Sequence, residues 1–146
     1  MFTTVHYQPE ADYRVAKGDV TASQWLDENL SPGDLVLKTK YFFPLLIGAN
    51  YPRYLKWGTV TVLTKYFEES ESNVTMKTLR DYTEKLRNEE DAYVVISDDQ
   101  LRHAIREGTR EAYLLPRLER VLKSDLGVEL VFNNETVRIY RFAASG

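Results

Sequence analysis

The chain has 146 residues, 43% of them apolar and 28% charged, with a formal net charge of −3 and no cysteine. That length fits one domain, large enough to bury roughly 68–70% of the surface its unfolded form exposes. The missing cysteine excludes disulfides, thiolate metal sites and cysteine nucleophiles, and the mixed, slightly acidic charge argues against a nucleic-acid groove, which needs clustered Lys and Arg.

Residues 1–17 mix aromatic side chains without a period and read as an irregular lead-in; residues 18–146 read as a single α/β domain. Thr21 and Gln24 have capping-box spacing, and Ala22, Trp25, Leu26 and Leu30 follow as an apolar stripe, so a helix is expected there. Ser31-Pro-Gly-Asp34 is a turn signal. Leu35 to Thr39 reads as the first strand, and Tyr41 to Gly48 as a short helix broken by Pro44. That run is the longest apolar one, and it is too short to span a bilayer. The first seven residues lack the basic and apolar regions of a signal peptide.

Asn50 to Tyr54 reads as a loop, Thr59 to Thr64 as a β-branched strand, and Glu68 to Ser72 as an acidic loop. Met76, Leu79, Thr83 and Leu86 line one face of a helix that begins near Thr75. Residues 92–96 read as a strand, and the unbroken apolar run Tyr93-Val-Val-Ile96 within it implies burial on both faces, the state of a central parallel strand. Ser97 and Gln100 again have capping-box spacing, and Gly108 closes the helix they start. Pro116 reads as the first position of another helix, with Leu118, Val121, Leu122 and Leu126 as its buried stripe and Gly127 as its C-terminal stop. Val128 to Phe132 and Thr136 to Phe142 form an antiparallel hairpin around three loop residues. Strands separated by helices imply parallel pairing. The expected fold is therefore a three-layer, Rossmann-like α/β sandwich with a mostly parallel sheet that ends in an antiparallel hairpin.

The seven glycines form neither a dinucleotide-binding fingerprint nor a phosphate-binding P-loop, and no nucleophile elbow of the G-x-S-x-G type occurs. No cofactor is implied. His103 falls on the polar side of its helix and reads as an exposed histidine. Open α/β sheets bind ligands at the carboxyl ends of their strands. Those ends offer Lys38 and Lys40, then Lys65 and Tyr66, then Ser97, Asp98 and Asp99. Two carboxylates beside two ammonium groups can hold a polar ligand or, with a divalent cation, a phosphate. The plainer reading is that Ser97 or Asp98 caps a helix, Asp99 favours its positive end and the lysines are solvated. Tyr51, Arg53 and Tyr54, with Trp57, resemble a stacking platform for sugars, and equally a packed loop. Three N-x-[ST] triplets occur at Asn29, Asn73 and Asn134; the last two are the candidate glycosylation sites.

Ala22 to Leu37, Tyr41 to Leu46, Tyr93 to Asp99 and Val137 to Arg141 together resemble the C-terminal domain of polytopic membrane glycosyltransferases of the dolichyl-phosphate-mannose–protein mannosyltransferase type. In that family a helix and a Pro-Gly-Asp turn precede the first strand, and the chain ends on a short strand like the last of these. The resemblance covers most of residues 20–142 and implies an outward-facing, extracytoplasmic module. Its partners would be the transmembrane part of the same parent and a protein or glycan acceptor. The family's catalytic acidic residues belong to its membrane part, so no catalytic residue carries over. Two other readings compete: a free-standing small hydrolase or transferase using Asp98, Asp99 and the strand-end lysines, and an interaction module presenting the aromatics at 51–57.

Overall fold

The computed structural model describes residues 21–31, 34–39, 58–86 and 91–143, with the backbone alone for 58–62. The expected lead-in at 1–17, the short helix at 41–48 and the loop at 50–54 lie outside the described residues.

Helix α1 covers residues 21–29, and Thr21 is already helical rather than its cap. β1 (Asp34–Lys38) comes next. Asp34 Oδ2 accepts the Ser31 amide at 2.7 Å, and Oδ1 accepts the Asp91 amide at 3.1 Å. Next come β2 (Gly58–Val62), α2 (Leu63–Glu69) and α3 (Met76–Lys85). The second half holds β3 (Asp91–Ser97), α4 (Asp98–Glu107), α5 (Glu111–Ser124), β4 (Val128–Asn133) and β5 (Val137–Ala143).

The five strands form one sheet in the order β2-β1-β3-β5-β4. β1 pairs in parallel with β2 and with β3, while β3–β5 and β5–β4 are antiparallel. The sheet is thus mixed rather than mostly parallel. The hairpin does not simply extend the edge: β5 lies against the central strand along its full length, from Asp91↔Ala143 to Ser97↔Val137, and β4 takes the edge.

Both faces of the sheet are apolar, as the unbroken run in β3 requires. On one face Leu35, Leu37, Ala92, Val94, Ile96, Tyr140 and Phe142 pack with buried residues of α2, α3 and α5. On the other, Val36, Tyr93, Val95, Val137 and Ile139 pack with Ala22, Leu26 and Leu30 of α1. Strand alternation assigns each set to its face.

Several expectations are corrected. The strand expected over 59–64 stops at Val62, and α2 starts at Leu63 without a connecting residue. Glu68 and Glu69 therefore belong to a helix whose Leu63, Tyr66 and Phe67 are buried. Pro116 lies inside α5 rather than at its first position; the helix opens at Glu111, five residues earlier. Glu111 is buried and accepts a hydrogen bond from Thr64 Oγ1, which ties the first turns of α5 and α2 together. Leu126 is fully exposed because α5 ends at Ser124, so the stripe it was to continue has stopped. The caps at Thr75, Ser97 and Gly108 stand where their residue types predict, with Gly108 at φ 70°.

Candidate functional site

The chain passes from β1 to β2 on one side and then crosses to β3 on the other. The carboxyl ends of β1 and β3 therefore flank a topological switch point, the place where open α/β sheets form a crevice. Lys38 and Thr39 stand at one lip; Ser97, Asp98, Asp99 and Gln100 stand at the other.

Gln100 joins the two lips. Its Oε1 accepts the Thr39 amide at 3.0 Å, and its Nε2 donates to the Val95 carbonyl at 3.1 Å. Its backbone amide donates to Ser97 Oγ at 3.0 Å. Ser97 thus caps α4 as its spacing predicts, but the reciprocal half of the box is absent because the Gln100 side chain is spent across the crevice.

The two aspartates point apart. Asp98 Oδ1 accepts from Arg138 Nη1 at 2.9 Å, and the Asp98 amide donates to the Thr136 carbonyl at 2.9 Å, so Asp98 binds the hairpin to α4. Asp99 Oδ1 lies 3.1 Å from Arg102 Nη1 and 3.7 Å from His103 Nε2. His103 is not the exposed histidine its helix position implies: its side chain is 15% exposed and turned toward Asp99.

Arg138 is the hub of a larger cluster that sequence spacing does not reveal. Its Nε and Nη2 donate to Glu119 Oε2 and Oε1 at 2.8 and 2.9 Å, a forked pair, and Tyr140 donates to Glu119 Oε2 at 2.6 Å. Burial pushes the Glu119 carboxyl up, but Arg138 and Tyr140 outweigh it and hold the group below its ordinary range. Burial and the neighbouring carboxylate push the Tyr140 hydroxyl well above its usual value. Arg138 and Tyr140 alternate with Val137 and Ile139 along β5, so the cluster faces α5.

Lys38 is the group the solvated reading misplaces. It is 4% exposed, and its Nζ donates to the adjacent Thr39 carbonyl at 3.2 Å. Among the described residues it is paired with no carboxylate. Burial lowers its pKa. The signal was available in principle: Val36 and Lys38 share a strand face, and a strand buried on both faces carries its last residue inward too.

Lys40, Tyr51, Arg53 and Tyr54 lie outside the described residues. Asn73 is exposed, one residue before Val74 and two before the Thr75 cap of α3. Asn134 forms the hairpin turn, its Oδ1 accepting the Thr136 and Val137 amides at 3.2 and 2.8 Å. Among the described residues no group of three His, Asp or Glu side chains is placed to hold a metal ion. No family model matches the chain, and no curated protein or solved structure matches it either.

Proposed function

We propose that the chain is a non-catalytic, extracytoplasmic module of a membrane glycosyltransferase of the dolichyl-phosphate-mannose–protein mannosyltransferase type, serving acceptor recognition or support of the membrane-embedded part. One observation carries the reading. The eight buried residues of the apolar cluster under α1 are Ala22, Leu26, Leu30, Val36, Tyr93, Val95, Val137 and Ile139. Every one comes from a stretch that carries the resemblance, so stretches far apart in sequence make one continuous piece of the fold. The finer architecture belongs to the same proposal: a Rossmann-like sandwich with α1 as one layer, the sheet as the next, and α2, α3 and α5 as the third.

The strand-end chemistry supports a scaffold rather than a reaction centre. Asp98 and Asp99 are occupied by Arg138, Arg102 and His103. Among the described residues no helix is long and apolar enough to cross a membrane; on this reading the span is supplied by the rest of the parent. Sequencing the gene upstream of Met1 tests this. A run of hydrophobic helices in frame with this chain is the expected result, and an open reading frame without one overturns it.

A further inference from the structure

Among the described residues, the carboxyl ends of β1 and β3 carry two buried hydrogen-bond donors, Lys38 and Ser97, and no carboxylate is paired with the ammonium. Lys38 Nζ carries three N–H groups, and the hydrogen bond to Thr39 uses one. Ser97 Oγ accepts the Gln100 amide, and its own proton is not used in that bond. The register Leu37↔Val94 sets Lys38 level with Val95, so Ser97 is its diagonal neighbour on the face that α1 covers. One strand spacing across and two residues along separate their α-carbons by roughly 8 Å. The long lysine side chain can cross that gap, so Nζ and Ser97 Oγ can donate to one oxyanion from two sides.

A buried ammonium without a paired carboxylate is costly, and side chains of this kind are kept paired or used. We propose that Lys38 and Ser97 form an oxyanion-binding site at the switch point, for a ligand that presents one phosphate or carboxylate group. The proposal does not depend on the glycosyltransferase reading. Lys38 supplies the charge and Ser97 a directional donor. The Gln100 bridge holds the two strand ends at fixed separation. The low dielectric around a lysine that is 4% exposed strengthens the attraction.

The test is titration of the full chain with inorganic phosphate, glucose 1-phosphate and gluconate, read by the side-chain Nζ resonance of Lys38 and the amide resonances of Ser97 and Thr39. A saturable shift confined to these groups is expected with at least one anion up to about 20 mM, and Lys38→Met should weaken it about tenfold or more. A stronger response to either phosphate arm identifies a phosphate ligand; a stronger response to gluconate identifies a carboxylate. No response in the wild type to any of the three overturns the site. So does equal binding by a folded Lys38→Met. Should Lys38→Met fail to fold, the Lys38 Nζ resonance of the wild type decides alone.

Discussion

Gln100 and Thr39 lie 61 residues apart in sequence, and one hydrogen bond of 3.0 Å joins them across the gap between β1 and β3. Gln100 is fully buried. It satisfies a backbone amide just past the end of one strand and a carbonyl on the next, so the polar ends of two parallel strands close on a single side chain.

Gln100→Leu therefore leaves the Thr39 amide and the Val95 carbonyl buried without these partners. Each such orphan costs about 1–3 kcal/mol. The variant is expected to unfold about 2–4 kcal/mol more easily in a urea titration, with its m-value unchanged. A loss below about 0.5 kcal/mol would show that the bridge is dispensable.

Arg138 holds Glu119 and Asp98 together, and removing one partner of a buried pair costs more than the pair contributes. Glu119 is 14% exposed at its side chain, so Arg138→Met is expected to destabilise the fold by about 2–4 kcal/mol. The depressed carboxyl of Glu119 adds stability that is present above its unfolded pKa of about 4.3 and is lost as pH falls through the folded value. In the variant burial is opposed only by the Tyr140 hydrogen bond and the Lys123 charge, and the Glu119 carboxyl resonance should titrate higher than in the wild type. An unmoved titration would remove Arg138 from this role.

Lys38 has the opposite sign. Its pKa is lowered in the folded chain, so the unfolded chain holds that proton more tightly. Stability should rise with pH from the folded pKa up to about 10.4 and be lowest below that window. Lys38→Met removes this component and should be more stable than the wild type at pH 7. Denaturant midpoints of the two proteins across the alkaline range give the difference curve; a flat difference contradicts the burial of the ammonium.

Pro116 sits in the interior of α5, where its missing amide leaves the Ala112 carbonyl without its helical donor. Pro116→Ala is expected to raise stability by about 1–3 kcal/mol, read as an increase in thermal midpoint. A decrease would mean that a bend at Pro116 is needed to pack Leu115 and Leu118.

Much of the framework was legible in the residues. The double-faced apolar run 93–96 fixes β3, capping chemistry at Thr75 and Ser97 starts α3 and α4, and Asn133-Asn-Glu135 turns the hairpin. What periodicity could not show was the order of strands. Nothing local says that β5 pairs with β3 while β4 goes outward. α2 was hidden because the β-branched run Thr59 to Val62 passes directly into it, with no glycine or proline between. Pro116 misled because the preference for a first-turn position is only local, and packing of Leu114, Leu115 and Leu118 carries the helix through it. Side-chain partners at long range, such as Arg138 with Glu119, leave no trace in spacing, and so the aspartates looked free.

The most direct measurement asks whether the strand-end carboxylates do chemistry. The isolated chain and its Asp98→Asn/Asp99→Asn variant should be assayed for sugar transfer from a polyprenyl-phosphate sugar and from a nucleotide sugar. No turnover by either protein is the predicted result; turnover by the wild type that the double variant abolishes would contradict the reading of this domain as a scaffold.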